Sequence, residues 1–211
     1  MEDLWKAEVY HHYGMTEAGL AVAIECQAHD GFHFNEADFL FEVVDPATGE
    51  VLKDGEEGEL VFTTLSREGI PLIRYRTGDI SRLIRDPCNC GASTLARIGT
   101  ITKRVGLIAT IGQGREIYPA LFDDVLYSFP KLIDYRVFLA KKGDKDCLTC
   151  KVELTEREVG LEERLTETIL NIAPIRESFE ANLLTQPQIE FVEPGEIKRA
   201  GRVKQRIIDN R

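Results

Sequence analysis

Three cysteines and a histidine have the residue types and the spacing to bind a metal ion. Cys88 and Cys90 are separated by one asparagine, and a turn-forming glycine follows them. With Cys26 and His33 they would give three thiolates and one imidazole, a set that closes a tetrahedral structural zinc site. Two alternatives remain open: His29 could supply the imidazole, or the cysteines could be free or buried thiols that hold no metal.

A turn further along the chain has the chemistry to bind hydroxyl groups. Residues 75–79 read Tyr-Arg-Thr-Gly-Asp and follow an apolar stretch at 70–73. A strand that runs into this Thr-Gly turn would hold the oxygens of Asp79 at a fixed edge of a sheet, beside an arginine. The arrangement suits a ribose diol, and a turn carboxylate in water is the alternative interpretation.

A third stretch combines a glycine with two oxygen-bearing side chains. Residues 13–17 read Tyr-Gly-Met-Thr-Glu. Gly14 would let the backbone approach a flat ligand, while the Thr16 hydroxyl and the Glu17 carboxylate could hold a nucleotide phosphate and a hard cation such as Mg²⁺. Alternatively, Gly14 only breaks a strand and Thr16 caps a helix.

The first half of the chain has strand-like runs separated by glycine and proline turns, which predicts a small β-rich unit. The strand-like runs are residues 8–10, 21–26, 32–34, 39–44 and 60–65. Because the first of them leads directly into the turn at Gly14, we expect the chain to begin in the middle of a fold.

The second half of the chain predicts one compact domain of mixed α and β structure. Strands are expected at 108–111, 133–140, 147–154 and 189–192, and helices are expected from Pro119 and over 161–172. This β-α-β-β-α-β-like order is typical of an antiparallel sheet with helices on one face, so the predicted fold class is α+β. Cys147 and Cys150 fall in one of these strands, where their thiols point to opposite faces, which favours a structural role over a redox pair.

The composition limits the classes of partner. The 211 residues carry a net charge of -10 with a pI near 5.0, which argues against nucleic acid, and only residues 198–211 are basic enough to meet a smaller phosphate. No apolar run approaches the roughly 20 residues needed to cross a bilayer, and the N-terminus lacks a signal-peptide pattern. We therefore expect a cytoplasmic protein without membrane contact. Five cysteines, an odd number, favour metal ligation or free thiols over a disulfide framework.

A third motif, Gly-Glu-Leu-Val-Phe at 58–62, lies between those at 13–17 and 75–79 in the sequence. In content and order these motifs resemble the adenylate-forming superfamily, and within it phenylacetate-CoA ligase and its relatives. The resemblance implies an AMP-forming acid–CoA ligase that uses ATP, Mg²⁺ and CoA.

The resemblance also implies roles for the candidate residues. Tyr13 would pack on adenine, and Thr16 and Glu17 would reach the phosphate and the magnesium ion. Asp79 would hold the ribose. Many relatives are similar at the four zinc-ligand positions as well, with a Glu-Cys, a Gly-x-His and a Cys-x-Cys-Gly in the same order. A metal bound there would tie strands together without taking part in the reaction.

Two domains follow from the same resemblance. Residues 1–103 would be the C-terminal part of the large adenylation domain, and residues 104–211 would be the mobile C-terminal domain. Relatives have a hinge of the type Gly-Arg-x-Asp between the two domains. Arg104 matches its arginine and would contact phosphate or ribose. Lys103 stands in place of the hinge glycine, and residues 105–107 include no aspartate. Gly106 could still provide the rotation.

The last stretch of the chain resembles the closing segment of the family, in which a lysine reaches the reacting carboxylate and the α-phosphate. Such a point charge would stabilise the charge that develops as pyrophosphate leaves. On the family pattern this position falls on Val203, so the role would pass to the neighbouring Lys204 or to Lys198. An exposed basic tail is the alternative.

The sequence lacks the glycine-, serine- and threonine-rich loop ending in lysine with which relatives bind the triphosphate. The leading hypothesis is the C-terminal portion of an acid–CoA ligase, inactive alone. It would need an N-terminal half with that loop, and would take CoA and a small carboxylic acid such as an aryl acetate. The alternatives are a stand-alone nucleotide-binding or regulatory module and a zinc-stabilised interaction domain. A homodimer is compatible with the sequence without being indicated by it.

Overall fold

A computed structural model describes residues 2–197 and 205–211 of the chain. Over these residues the fold combines β-sheets with helices, which confirms the predicted α+β class. The chain divides into two compact units, Met1–Val105 and Gly106–Arg211. Each unit has a hydrophobic core of its own.

The first unit is built from short strands and one short helix in its described part. The helix α1 is Glu2–Trp5, and the strands are β1 His12–Met15, β2 Gly19–Glu25, β3 Phe32–Phe34, β4 Phe39–Val44, β5 Gly58–Thr64, β6 Tyr75–Ser81, β7 Leu83–Ile84, β8 Arg97–Ile98 and β9 Lys103–Arg104. They form two antiparallel sheets, in the strand orders β1-β2-β3-β8-β7 and β4-β5-β6-β9. The predicted β-rich unit is thus confirmed.

One core joins the two sheets of the first unit. Ala23 and Phe34 from the first sheet are buried with Phe41 and Phe62 from the second. The rings of Phe34 and Phe41 meet edge to face with centroids 4.7 Å apart, an arrangement that aromatic rings favour. This shared core fixes β1 relative to β6, and these two strands carry the candidate site.

The start of the first unit differs from the expectation. Residues 8–10 are not a strand, since β1 begins at His12 and the turn follows at 16–18. A Cβ atom on Gly14 would lie 2.8 Å from the carbonyl oxygen of Gly19 on β2. Only glycine therefore lets the two strands approach this closely, and Gly14 is a strand residue rather than the turn.

The second unit contains a four-stranded sheet, a small hairpin and helices. Its strands are β10 Ala109–Ile111, β11 Arg115–Ile117, β12 Leu132–Lys142, β13 Lys145–Leu154, β14 Gln188–Val192 and β15 Ile207–Asp209, and its helices are α2 Pro119–Leu126, α3 Leu161–Leu170 and α4 Ala173–Glu180. A 3-10 turn spans Val105–Leu107. The strands β12 and β13 form a long antiparallel hairpin at the centre of the sheet, and β14 and β15 join on either side in parallel. The sheet is therefore mixed and not wholly antiparallel as expected. In the described part of the chain, no helix is long and apolar enough to cross a membrane.

Helices pack against this sheet through one apolar core. Leu126 of α2, Leu165 of α3 and Ile175 of α4 are fully buried together with Val137 and Cys150 of the hairpin. Burial of an aliphatic side chain of this size contributes about 1.5–3 kcal/mol. The core therefore accounts for the association of the helices with the sheet.

The single helix expected over 161–172 is interrupted. The helix α3 ends at Leu170, and α4 begins at Ala173 after Ile172, whose backbone is extended (φ -65°, ψ 118°). Pro174 stands in the first turn of α4. Proline lacks the N–H donor that a continuing helix needs but is favoured in the first turn of a new one, so the apolar spacing that predicted one helix covers two.

Two buried carboxylates on the central hairpin bind the chain on both sides of residues 198–204, which lie outside the described range. Asp134 and Glu153 are direct partners across β12 and β13. The Glu153 carboxylate accepts the backbone N–H of Ile197, and the Asp134 carboxylate pairs with the guanidinium of Arg206. Burial acts to raise the pKa of Asp134, but hydrogen bonds from Arg206 and from the backbone N–H of Tyr135 outweigh it and leave the pKa below its usual range.

Replacing Arg206 with methionine is expected to destabilise the second unit, because Asp134 would keep a buried charge without its cationic partner. Removing one member of a buried ion pair costs on the order of 3 kcal/mol. Arg176→Met, on the exposed side of α4, is the matched control and should change the free energy of unfolding by less than about 0.5 kcal/mol. Urea unfolding followed by far-UV circular dichroism measures both variants. Equal midpoints for the two would contradict the anchoring role of Arg206.

Candidate functional site

Tyr13, Asp79 and Arg104 come together from three strands of the first unit. The Tyr13 hydroxyl on β1 donates a hydrogen bond of 2.8 Å to Oδ2 of Asp79 on β6. On β9, Nε of Arg104 lies 3.0 Å from Oδ1 of the same carboxylate, and Nη2 donates to the Thr77 carbonyl oxygen over 3.0 Å. Asp79 and Arg104 are also direct partners in the β6–β9 ladder. Three residues that the sequence motifs singled out therefore form one contact group.

A bulge in β6 sets the direction of the Asp79 side chain. Residues 77–79 together lie opposite the single residue Leu60 of β5. Gly78, the middle one, has φ 77°, a left-handed conformation that favours glycine. The Thr77 hydroxyl accepts the N–H of Asp79 over 3.0 Å and donates to the Leu60 carbonyl over 2.8 Å. The local hydrogen bonds thus hold the turn in the shape that presents Asp79.

Glu59 is the support of this turn on the neighbouring strand. It is only 4% exposed, and one of its carboxylate oxygens accepts the N–H of Gly78 over 3.0 Å. The other oxygen pairs with Arg76. The motif at 58–62 includes Glu59 but assigned it no role, although a glutamate directly before the apolar residues 60–62 was the signal available for it.

Burial is the largest influence on the Asp79 carboxyl group, and it raises the pKa above the usual range. The Tyr13 hydroxyl and the Arg104 guanidinium act in the opposite direction, and the charge of Glu59 adds to the rise. Burial and the neighbouring Asp79 charge also raise the pKa of the Tyr13 phenol, so this hydroxyl remains a hydrogen-bond donor. A carboxylate with one partner on each oxygen keeps further lone pairs, which can accept hydrogen bonds from the hydroxyl groups of a ligand.

Thr16 and Glu17 lie in the exposed turn between β1 and β2. Arg67 donates to the backbone carbonyl oxygens of Glu17 and Ala18 and so ties this turn to the loop after β5. The backbone of the turn is therefore held, while the Thr16 and Glu17 side chains are exposed and accessible to a ligand.

The two candidate lysines, Lys198 and Lys204, lie outside the described residues. Val203, at the position where the family pattern has lysine, also lies outside them. On the Lys198 side of this segment the Glu153 carboxylate accepts the backbone N–H of Ile197, and on the Lys204 side Arg206 pairs with Asp134.

The second candidate site is the thiol cluster, defined as Cys26, His33, Cys88 and Cys90. Their four ligand atoms all lie within 4.8 Å of one another. The Sγ atoms of Cys26 and Cys88 are 3.6 Å apart, and Sγ of Cys90 is 3.4 Å from Nε2 of His33. Tetrahedral zinc, with Zn–S near 2.3 Å and Zn–N near 2.0 Å, spaces its ligand atoms roughly 3.5–3.8 Å apart. The spacing and the donor types therefore fit zinc, and four protein ligands leave no open position.

Three segments of the first sheet supply the thiol cluster. Cys26 directly follows β2, His33 lies in β3, and Cys88 and Cys90 lie in the loop after β7. The backbone N–H of Cys90 donates to the sulfur of Cys88 and lowers the pKa of this thiol to about 6, whereas burial raises the pKa of Cys26. Nδ1 of His33 is buried and has no hydrogen-bond partner among the described residues, while Nε2 faces the sulfur atoms.

His29, the competing imidazole, lies outside the thiol cluster. Its ring stacks on Tyr10 with centroids 5.3 Å apart. Its Nδ1 and Nε2 atoms lie 3.4 Å and 3.9 Å from the carboxylates of Glu25 and Glu8. The structure therefore selects His33 over His29 as the fourth member of the thiol cluster.

Cys147 and Cys150 both lie on β13 in the second unit. Cys150 is fully buried in the core, and burial raises the pKa of its thiol to about 12. Cys147 is half-buried and accepts the Thr185 hydroxyl over 3.3 Å. Both environments suit thiols that pack and do not react.

Comparison with known proteins identifies homologues along the chain. Residues 114–211 match the family model of the AMP-binding enzyme C-terminal domain. The phenylacetate-coenzyme A ligase of Thermus thermophilus is 35% identical over 213 residues, an alignment that covers 94% of this chain and 47% of that protein. The corresponding ligase of Aromatoleum evansii is 37% identical and is matched over 94% of this chain and 45% of its own length. The chain thus spans about half the length of the relatives it matches.

A solved structure is similar over the whole chain. The crystal structure of 2-hydroxyisobutyryl-CoA ligase in the postadenylation state, in complex with 2-HIB-AMP, matches with a TM-score of 0.75 and 25% sequence identity. The match covers 100% of this chain and 44% of that enzyme. The similarity extends through both units and lies in one part of the longer protein.

Glu59→Ala is expected to release the turn at Gly78, because the Gly78 N–H would lose its acceptor. An unsatisfied buried donor costs about 1–3 kcal/mol. Because Gly78 is half-buried, its amide should exchange with solvent faster by up to about a hundredfold. Glu59→Gln is the control, since it keeps an oxygen for the Gly78 N–H while it removes the charge next to Arg76. Residue-resolved hydrogen exchange measures both. Wild-type exchange at Gly78 in Glu59→Ala would show that the turn does not depend on this carboxylate.

Proposed function

We propose that this chain belongs to the phenylacetate-CoA ligase relatives among the AMP-forming enzymes and corresponds to their C-terminal portion. On this premise it is part of an ATP-dependent acid–CoA ligase. In the proposed reaction a carboxylic acid attacks the α-phosphate of ATP, which forms an acyl-adenylate and releases pyrophosphate. The CoA thiol then attacks the acyl carbon, loses its proton, and displaces AMP. An aryl acetate is the proposed acid, because the matched relatives are named as phenylacetate ligases.

The observation that carries this proposal is the contact group of Tyr13, Asp79 and Arg104. In the proposed complex Asp79 accepts the ribose hydroxyl groups, and Arg104 contacts ribose or phosphate with the part of its guanidinium that is exposed. Tyr13 fixes the Asp79 carboxylate through its hydroxyl and offers its ring to adenine. Burial of Tyr13 and Asp79 strengthens the hydrogen bond between them because little solvent competes with it.

The remaining roles fall on the exposed turn after β1 and on the C-terminal part of the chain. Thr16 would donate to a phosphate oxygen, and Glu17 would be a ligand of Mg²⁺, which neutralises phosphate charge when it is bound. Lys198 or Lys204 would stabilise the charge that develops on the phosphate and the leaving pyrophosphate. Residues 104–211 would be the C-terminal domain that changes orientation between the two half-reactions. The triphosphate loop and the acid pocket would lie in the part of the ligase outside the length matched here.

Asp79→Asn is expected to weaken ATP use, because a neutral amide gives up the charge-assisted hydrogen bonds to the ribose. Each such bond contributes about 1.5–3 kcal/mol, so the KM for ATP should rise roughly ten- to a hundredfold. The assay is acid-dependent pyrophosphate exchange by this chain combined with the N-terminal portion of the Thermus thermophilus relative, and Asp124→Asn, on the exposed face of α2, is the control. No acid-dependent exchange with the unaltered chain would contradict the ligase proposal. Unchanged kinetics in Asp79→Asn would contradict the ribose role alone.

Stability provides a check that Asp79→Asn remains folded. The pKa of Asp79 is raised in the folded state, so the stability linked to this group is present below the unfolded pKa of about 3.9 and is lost as the pH rises through the folded value. Above the folded-state pKa this contribution to stability is absent. Removal of the Asp79 charge should therefore not lower the melting temperature in that pH range through proton linkage.

We further propose that the thiol cluster binds one structural Zn²⁺ ion. Three thiolates and one imidazole at this spacing suit zinc better than a hard cation, and a closed set of four protein ligands supports a structural rather than a catalytic role. The ion would tie β2 and β3 to the loop after β7.

The zinc proposal predicts that the purified chain holds about one zinc ion per molecule and that Cys90→Ser loses most of it. Cys147→Ser, which removes a half-buried thiol outside the cluster, should retain it. Elemental analysis after dialysis against a metal-free buffer gives the stoichiometry. Metal-replete protein with no zinc would refute the proposal, as would equal zinc content in the two variants.

A further inference from the structure

Arg97 is a charged side chain in an almost fully buried position beside the thiol cluster. It is 2% exposed and lies between two buried apolar residues, Ala96 and Ile98. In the antiparallel ladder of β3 and β8, Arg97 is the direct partner of His33. Directly paired residues project from the same face of a sheet, so the guanidinium and the imidazole extend from the same side.

The guanidinium binds backbone carbonyls in both loops that carry cysteines. Nη1 donates over 2.6 Å to the carbonyl oxygen of Asp30, in the loop that begins at Cys26. Nη2 donates over 3.0 Å to the carbonyl oxygen of Asp86, two residues before Cys88. Because the guanidinium is planar and its donors have fixed directions, these two bonds set the separation of the loops.

A cavity lies next to these hydrogen bonds, so the bonds contribute more to the connection between the two loops. Asp30, Asp86 and Arg97 line a cavity of about 450 Å³. Side-chain packing between the loops is therefore incomplete there, and the hydrogen bonds of the guanidinium carry more of the connection. The Asp30 carboxylate, 60% exposed, also pairs with Nη1.

The charge of Arg97 suits the same position. Three thiolates and one divalent ion leave one negative charge, and a buried charge is costly unless an opposite charge lies near it. Arg97 is the buried cation beside the thiol cluster, whereas the Asp30 carboxylate is largely in contact with solvent. Both geometry and charge thus favour metal binding.

We propose that Arg97 is a positioning residue for the metal centre. By binding the carbonyl oxygens of Asp30 and Asp86 it holds Cys26 and Cys88 at metal-binding distance, although it is not itself a ligand. The inference rests on the proposed zinc site and extends it to a residue that decides how well the site is pre-formed.

The test compares Arg97→Met and Arg97→Lys with Arg85→Met in the full chain. Lysine keeps the positive charge but lacks the planar fork that reaches both carbonyls. Arg85 lines the same cavity, is about half exposed and pairs with Glu36 and Asp54, so its replacement is the matched control. Zinc affinity is measured by competition with a chromophoric chelator, and the absorption bands of the cobalt-substituted chain report the coordination geometry.

Both Arg97 variants are expected to lose roughly ten- to a hundredfold in zinc affinity, the range typical of residues that orient metal ligands. Their cobalt bands should weaken or shift, and Arg85→Met should match the unaltered chain in both readouts. The difference in melting temperature between each Arg97 variant and the unaltered chain should be larger with zinc than after chelation.

Three outcomes would overturn the inference, and they are distinguishable. Unaltered zinc affinity and cobalt spectra in both Arg97 variants would remove the positioning role and leave the zinc site intact. Failure of the unaltered chain to bind zinc or cobalt would remove the zinc site and this inference together. Loss of the fold in both variants at saturating zinc, seen by circular dichroism, would show that Arg97 serves the core of the first unit rather than the metal centre.

Discussion

The candidate nucleotide site depends on a carboxylate that is kept almost out of water. Asp79 is 8% exposed, and a buried charge requires partners. Its partners come from strands at opposite ends of the first unit's sequence, Tyr13 on β1 and Arg104 on β9. The need to satisfy this one group therefore links the two sheets at the position where a ribose would bind.

Other buried charged residues also hold one segment of the chain against another. Glu59 supports the Gly78 turn, Arg97 spans the two loops of the thiol cluster, and Arg206 pairs with Asp134 in the second unit. Each is a buried charged residue, and each binds a backbone group or an opposite charge on another segment. Such residues add little net stability as pairs, but the loss of one partner is costly, which makes the observed arrangement strongly preferred over alternatives.

A structural metal ion in the thiol cluster would serve the same purpose by coordination instead of ion pairing. The cluster lies where β2, β3 and the loop after β7 meet, and these segments include no long helix or extended hairpin to hold them together. Coordination bonds compensate for a small local core. The proposed zinc ion would thus stabilise the first unit, which also carries the contact group around Asp79.

Sequence alone determined the α+β class, the family resemblance, the two central strands of the second unit and the residue types of both sites, because these depend on local patterns and on the order of short motifs. It kept His29 as an alternative to His33, placed Gly14 in a turn, and did not select Glu59 or Arg97. Tertiary structure decided these points, since each depends on which distant strand lies alongside: β2 occupies the space a Gly14 side chain would need, and β8 pairs Arg97 with His33. Periodicity and motif spacing describe a segment by itself, whereas a buried charge or a metal ligand is defined by the segments that fold against it.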